Sequence, residues 1–90
     1  MVYITAVHMS PGGSAHQHIA DVRWRNPSSG ATGENTRAKM VSWINDGGEA
    51  RVTDGRGDDV RVYVVDATPP YIRTYADGVW TDNLLALPRY

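Results

Sequence analysis

The fold of this chain is decided by the stretch YIRTYADGVWTDNLLALPRY at residues 71–90. Alternating side chains over residues 71–75 predict a strand. The Asp77-Gly78 dipeptide that follows is typical of a two-residue hairpin turn, so residues 79–80 should return beside that strand. Pro88 should stop the chain from continuing any helical turn formed by the leucines before it. The stretch therefore predicts a hairpin followed by a short apolar segment.

That apolar segment is too rich in leucine to stay in water, because a contiguous apolar patch of this kind is rare on soluble monomers. We expect four side chains of the tail to close the core: Trp80, Leu84, Leu85 and Leu87. The polar step before the leucines, Asp82-Asn83, is expected to be structural and to serve as a cap or turn for the segment that carries them. The alternative is that this polar pair is functional, since polar loop residues often carry function.

Upstream, the period-two pattern predicts further strands at residues 2–7, 18–24, 49–53 and 60–65. Loops are expected at residues 10–14 and 26–33, and a turn at residues 54–58, where Gly, Pro, Ser and Asp accumulate. One helix is predicted from about residue 35 to residue 46, with Asn35 or Thr36 as its N-cap and Gly47-Gly48 at its end. Its apolar stripe consists of Met40, Val41 and Ile44, with Trp43 beside them.

These elements predict a fold of the α+β class. We expect a single, mainly antiparallel, twisted sheet in the order β-β-α-β-β-β, with one helix packed on one face. In that arrangement Met40 and Ile44 should be buried against Val62 and Val64. No repeat or composition break divides residues 1–90, so we expect a single domain.

Composition narrows the class of protein. The chain has 90 residues, of which 41% are hydrophobic and 21% charged, with a formal net charge of -1 and no cysteine. It can therefore form no disulfide framework and no thiolate metal site, and it has no overall attraction to nucleic acid. No apolar run approaches the ~18 residues of a membrane span. We expect a small, soluble, cytoplasmic domain without a membrane partner.

Chemical motifs are scarce. The histidines His8, His16 and His18 could approach one another, but no cysteine or carboxylate reinforces them as a zinc site. No nucleophile elbow, no serine set against a His-Asp pair and no phosphate-binding loop is present. We therefore expect no metal, no cofactor and no enzymatic activity.

Four parts of the sequence carry a resemblance to a known family. They are His18-Ile19 with Val22 and Trp24; Thr36-Arg37 with Met40-Val41 and Trp43-Ile44; Gly47-Gly48; and the tail from Tyr71 through Asp77-Gly78 and Asp82-Asn83-Leu84-Leu85 to Tyr90. Together they resemble a family of small bacterial and phage proteins that is classed only as a domain of unknown function. The resemblance implies a compact single domain, often encoded by phages or mobile elements, and it implies no particular activity.

One surface pattern remains. If the valines of residues 60–64 face the helix, the opposite face of the sheet collects arginines and tyrosines: Arg23, Arg25, Arg51, Arg61, Tyr63, Tyr71, Arg73 and Tyr75. Such a face could bind a protein partner or stack single-stranded nucleic acid. It could also be a plain wet face whose arginines pair with Glu49, Asp21 or Asp59.

Among these alternatives the net charge disfavours a strong phosphate footprint. The sequence therefore predicts a non-enzymatic protein-interaction module, a phage or mobile-element accessory protein acting on a host component. The alternative function is single-stranded nucleic-acid binding through the same face. Whether the chain is a monomer or a homodimer stays open.

Overall fold

The computed structural model describes residues 1–53 and 59–90, and the predicted turn at residues 54–58 lies outside these ranges. Within them the chain forms seven strands, one α-helix and one turn of 3-10 helix at His16–His18. The strands are β1 (Val2–Met9), β2 (Ile19–Arg25), β3 (Thr32–Thr36), β4 (Ala50–Thr53), β5 (Asp59–Val65), β6 (Tyr71–Ala76) and β7 (Val79–Thr81). The helix is α1 (Arg37–Asn45).

The described strands form one sheet in the spatial order β3-β2-β1-β4-β5-β6-β7. All neighbours are antiparallel except β1 and β4, which run parallel through the pairs Val2–Ala50 and Tyr3–Arg51. The prediction of an α+β fold with a mainly antiparallel sheet and one helix is confirmed. β1 and β4 are parallel because the chain crosses over between β3 and β4. Helix α1 forms this crossover, which skips β2 and β1 in the sheet.

The predicted order β-β-α-β-β-β was wrong in detail, because it lacks two strands. The structure adds β3 before the helix and β7 after β6. The segment Thr32–Thr36, assigned to a loop and to the start of the helix, is strand β3 and pairs with β2 from Asp21–Thr36 to Arg25–Thr32. It is a polar edge strand whose residues are exposed or half-exposed, so the apolar alternation that marks a strand is missing. The hairpin return at residues 79–80 does form, as the separate strand β7.

Helix α1 begins and ends as its sequence predicts. The Thr36 side chain accepts a hydrogen bond from the Lys39 amide at 3.2 Å, which makes Thr36 the N-cap. At the other end Gly47 takes a φ of 103°, a left-handed conformation that favours glycine. Met40 is buried, whereas Ile44 is only half-buried, so the prediction that both are buried holds for Met40 alone. Helix α1 contacts four strands, β2, β3, β5 and β6.

The tail closes the core, but with a different set of side chains. Leu84 is fully buried, and Leu85 and Leu87 pack against the core cluster. The prediction for Trp80 was wrong, since it is 39% exposed. The β6–β7 register places Trp80 opposite Tyr75 and gives the inward position to Thr81, opposite the buried Thr74.

The polar step Asp82-Asn83 begins the predicted turn through its backbone, whereas its side chains do not form the alternative, a side-chain cap. The Leu85 amide donates to the backbone carbonyl of Asp82 at 3.1 Å. The Asp82 carboxylate accepts instead from Arg73, and the Asn83 side-chain oxygen accepts from the Thr81 hydroxyl. Both side chains are held by β6 and β7, so they anchor the start of the tail to the sheet.

Beyond the leucines the chain returns to the first strand. The Val7 amide donates to the Pro88 carbonyl at 3.0 Å, and the Tyr90 amide donates to the Val7 carbonyl at 3.2 Å. These two bonds form a parallel bridge between Val7 and Arg89. Because β4 pairs only with the first residues of β1, the tail occupies the edge of β1 that β4 leaves open.

Candidate binding face

A row of registered residues crosses the whole sheet on one face. Successive pairs in the strand registers connect Thr32, Arg25, Tyr3, Arg51, Arg61, Tyr75 and Trp80, in the spatial order from β3 to β7. Directly paired residues project on the same side of a sheet. The neighbours of this row along the strands, such as Ile4, Ala50 and Val62, are buried in the core. The row therefore lies on the face turned away from the core.

Three aromatic side chains meet at the β7 end of this face, and we call Tyr63, Tyr75 and Trp80 the aromatic cluster. The rings of Tyr63 and Tyr75 are 5.9 Å apart at 84°, and those of Tyr75 and Trp80 are 5.0 Å apart at 73°. Both are edge-to-face arrangements, the geometry that aromatic pairs favour. Each side chain of the cluster is 37–39% exposed. Together with Val64 the cluster lines a shallow depression open to solvent.

Two arginines on this face stack on tyrosines. The Arg61 guanidinium lies 5.3 Å from the centroid of the Tyr63 ring, and that of Arg25 lies 5.7 Å from the Tyr3 ring. Both distances suit a cation–π contact. In the described ranges no carboxylate oxygen lies within 4.0 Å of either guanidinium. Arg61 therefore presents a positive charge beside the aromatic cluster.

The other three predicted arginines are engaged in ion pairs. Arg23 donates to Glu34 at 3.2 Å, Arg51 to Glu49, and Arg73 to Asp82 at 2.9 Å. The hydrogen bond from Arg51 lowers the pKa of the Glu49 carboxyl. These pairs show that acidic side chains interleave with the basic ones across the face.

Tyr3 belongs to the same face, although sequence reasoning did not select it. Its hydroxyl donates to the Asp59 carboxylate at 2.7 Å, and this bond is the main cause of the raised pKa of Tyr3. Trp80 was also missed as a face residue. The two-residue turn at Asp77-Gly78 could have identified Trp80, because that turn pairs Tyr75 with Trp80.

Not all eight predicted face residues come together. Arg61, Tyr63 and Tyr75 are neighbours on β5 and β6, and Arg73 pairs in register with Tyr63 but turns to Thr81 and Asp82. Arg25 and Arg51 join the same row through Tyr3. Arg23 instead stacks on the Tyr90 ring at 4.0 Å, and Tyr71 lies apart, half-buried near Pro69 and Gln17.

Comparison with known proteins places the chain in a family. Residues 3–88 match the model of the family described as "Protein of unknown function (DUF3892)". The chain belongs to the DUF3892 family. This confirms the resemblance to a family of unknown function. No curated protein and no solved structure matches the chain, so the function of this DUF3892 domain has to be argued from its own surface.

The histidines of the DUF3892 domain are separated by the fold. His8 bonds through its ring to the Tyr90 carbonyl, and the His18 ring accepts from the Ser14 and Ala15 amides at 3.1 Å. His16 is buried, and burial lowers its pKa. In residues 1–53 and 59–90 no three His, Cys, Asp or Glu side chains lie close enough to hold a metal ion. The described helix is also too short to cross a membrane.

Proposed function

We propose that this DUF3892 domain is a non-enzymatic protein-interaction module that binds its partner through the aromatic cluster and Arg61. The observation that carries the proposal is the exposed, edge-to-face packing of Tyr63, Tyr75 and Trp80 on the outer face. Tryptophan, tyrosine and arginine are the residue types that dominate binding energy at protein interfaces. Because the rings already hold one another in place, little side-chain freedom remains to be lost on binding.

The charge beside the cluster defines the chemistry of the partner. Arg61 is exposed, and its described surroundings hold no carboxylate within 4.0 Å, so a carboxylate of the partner could bind it. The apolar faces of the cluster would take apolar side chains next to that carboxylate. We therefore propose a partner segment in which an Asp or Glu is flanked by apolar residues. A protein segment of this kind complements both the charge and the aromatic surface.

Single-stranded nucleic acid is the second candidate, since exposed aromatic rings beside arginines can stack bases. The pairing of Arg23, Arg51 and Arg73 with carboxylates argues against it. A strand of nucleic acid needs a track of free cations, whereas here Glu34, Glu49 and Asp82 would repel the phosphates. The formal net charge of -1 also disfavours nucleic-acid binding. A protein partner is thus better supported than nucleic acid.

The biological setting rests on the sequence resemblance alone. We propose that the domain is an accessory protein of a phage or mobile element, and that its partner is a host protein met in the cytoplasm.

The proposal is tested by selecting a random peptide library on the immobilised protein. We expect the enriched peptides to carry Asp or Glu flanked by apolar residues. Their binding should fall at least tenfold, about the effect of losing one hot-spot residue, in the Tyr75→Ala/Trp80→Ala double variant. Tyr71→Ala is the matched control, because it removes a tyrosine from the same strand outside the cluster, and it should bind normally. Arg61→Gln should weaken acidic peptides more than neutral ones.

Three results would contradict the proposal. The selected peptides could bind the double variant as well as the parent protein. A labelled oligothymidylate could bind with a steep salt dependence that the double variant loses, which would favour nucleic acid. Sedimentation could show concentration-dependent dimers that the double variant abolishes, in which case the face would be occupied by a second copy of the chain.

A further inference from the structure

Strand β3 forms one end of the sheet, and its outer edge pairs with no other described strand. Natural proteins usually protect such an edge with a proline, a bulge or an inward-pointing charge. The strand Thr32–Thr36 contains no proline, and its pairs with β2 follow one another without a bulge. Its one charged side chain, Glu34, is paired with Arg23 at 3.2 Å. The edge of β3 is therefore open to another strand.

The turn before β3 shows which backbone groups face that edge. The Asn26 amide donates to the Ala31 carbonyl at 2.7 Å, so these two residues form a hydrogen-bonded pair. Hydrogen-bonded and non-hydrogen-bonded pairs alternate along an antiparallel ladder. Thr32 is in the next pair and Glu34 two pairs further on, so neither bonds to β2 through its backbone. Their N–H and C=O groups point outward, and nothing in residues 1–53 and 59–90 bonds to them.

The side chains beside this edge define the segment that fits it. Thr32 and Glu34 lie on the outer face of the sheet, where oppositely charged cross-strand pairs are favourable, so a Lys or Arg suits the position opposite Glu34. Gly33 lies on the core side. A Cβ added to Gly33 would lie 2.5 Å from Cζ2 of the half-buried Trp24, so that ring lies against the bare glycine. An apolar residue opposite Gly33 would pack beside the ring.

We propose that β3 binds an extended segment of a partner protein, which joins the sheet as an additional antiparallel strand. The N–H and C=O groups of Thr32 and Glu34 form the main-chain hydrogen bonds that give affinity, and alternate side chains give specificity. The segment carries a basic residue opposite Glu34 and an apolar residue opposite Gly33. Its direction is antiparallel because parallel pairing is slightly less stable per residue.

This site is separate from the one proposed above. The aromatic cluster lies on β5, β6 and β7, at the other end of the sheet from β3. The cluster with Arg61 suits an acidic segment, whereas the edge beside Glu34 suits a basic one. The inference therefore goes beyond the proposed function and does not depend on it.

The test uses the full chain and a fluorescein-labelled peptide, SVKVTVS, whose Lys, central Val and Thr are designed to lie opposite Glu34, Gly33 and Thr32. Fluorescence anisotropy should show saturable binding. N-methylation of the peptide's Thr amide removes a hydrogen bond to β3 and should weaken binding at least about fivefold. N-methylation of the central Val is the matched control, because that amide points away from β3, and it should change the affinity by less than about twofold.

Hydrogen exchange of the backbone amides locates the bound peptide. In the free protein the outward amides of Thr32 and Glu34 should exchange faster than those of Gly33 and Asn35, which bond to β2. Saturating peptide should slow the exchange of Thr32 and Glu34. Exchange at these two amides that the bound peptide leaves unchanged would contradict strand addition at β3.

Substitutions at the edge provide the matching test on the protein side. Thr32→Pro removes an outward amide where an edge strand tolerates proline, so the folded variant should bind the peptide at least about fivefold more weakly. Thr32→Val keeps the amide and is the control. Glu34→Gln should weaken the Lys peptide more than its Lys-to-norleucine analogue. The Tyr75→Ala/Trp80→Ala double variant should bind the peptide like the parent protein.

Four results would overturn the proposal. The peptide could show no saturable binding up to about 1 mM, the weak end of measurable affinity. The two methylated peptides could lose affinity equally. The double variant of the aromatic cluster could lose the peptide as well. Sedimentation could show dimers that Thr32→Pro abolishes, in which case β3 of a second copy would occupy the edge.

Discussion

Thr74 and Thr81 face each other across the β6–β7 pair with their hydroxyl oxygens 2.6 Å apart. Thr74 is fully buried, and its hydroxyl oxygen also accepts the Asn83 amide at 3.3 Å. This pair sets the inward side of the hairpin, and it thereby turns Trp80 outward into the aromatic cluster. The stability of the fold and the composition of the candidate face are linked at this position.

Replacing Thr74 by valine should destabilise the protein, because the shape is kept while a buried hydroxyl is lost. The Asn83 amide and the Thr81 hydroxyl would each lose a partner, so we expect a loss of about 1–3 kcal/mol in the free energy of unfolding. Urea denaturation measures this loss. Thr32→Val on the exposed edge strand β3 is the control and should change the value by less than about 0.5 kcal/mol. Equal effects of the two changes would argue against a buried network.

Leu84→Ala should have the largest effect among single changes in the tail. Leu84 has no exposed surface, so its truncation combines a lost transfer free energy with a cavity and should cost about 2–5 kcal/mol. The half-buried Leu87 should cost clearly less when it is truncated in the same way. Thermal unfolding followed by circular dichroism compares the two variants. A Leu84→Ala protein as stable as the parent would show that the tail does not close the core.

Met40→Ala tests how the helix packs on the sheet. Met40 is 1% exposed, so we expect its truncation to cost about 2–5 kcal/mol. Ile44→Ala on the next turn is the matched comparison, and its smaller buried surface should give a smaller loss. Chemical denaturation of both variants decides the ranking. The reverse order would mean that Ile44, rather than Met40, is the main contact of the helix.

Asp82→Ala should cost little stability. The carboxylate is 72% exposed and pairs with Arg73 at the surface, and exposed ion pairs contribute about 0–1 kcal/mol. We expect a change in the free energy of unfolding within that range. Binding of the selected peptides should be unchanged, since Asp82 lies outside the aromatic cluster. Full stability together with lost peptide binding would make the Asp82-Asn83 step a functional site.

The buried His16 predicts a pH dependence of stability. Burial is the largest cause of the lowered pKa of His16. The Arg73 charge lowers this pKa further, and the Asp82 carboxylate raises it. The folded state therefore disfavours the protonated imidazole relative to the unfolded chain, whose His pKa is about 6.5. The contribution of neutral His16 to the free energy of unfolding is fully present above about pH 6.5. It is lost as the pH falls through the lower folded pKa.

Urea midpoints between about pH 7.5 and 5.5 measure that dependence across the unfolded His pKa. The parent protein should lose stability toward the acid end, and His16→Gln should lose less over the same interval. His8→Gln replaces an exposed histidine and is the control for the substitution itself. A slope that His16→Gln leaves unchanged would assign the effect to other groups.

Local pattern sufficed for the central strands. Alternation identified β4, β5 and β6, and a capping threonine and a terminal glycine located the helix. Local pattern failed for β3, because the edge strand TGENT buries too little surface to need apolar residues. For Trp80, the apolar character of the side chain suggested burial, but the hairpin register overrides that preference.

The residues of the candidate sites were also predictable only in part. Arg61, Tyr63 and Tyr75 were predictable because they occupy the outward phase of two recognisable strands. Trp24 on β2 and Trp43 on α1 line one cleft, which was not predictable because only the crossover from β3 to β4 brings the two elements together. No pattern within a window of sequence records a contact between elements so far apart in the chain.

The bridge between Val7 and Arg89 has a consequence for how the chain acquires its structure. On one edge, the start of β1 pairs with β4, and Val7 near its other end pairs with Arg89 of the tail. During synthesis β1 emerges before the tail, and part of its edge has no neighbour until the tail has left the ribosome. Until then it is an open strand edge that can pair with other chains. Pairings between such distant segments also slow folding, so truncated or slowly translated chains should be the ones that aggregate.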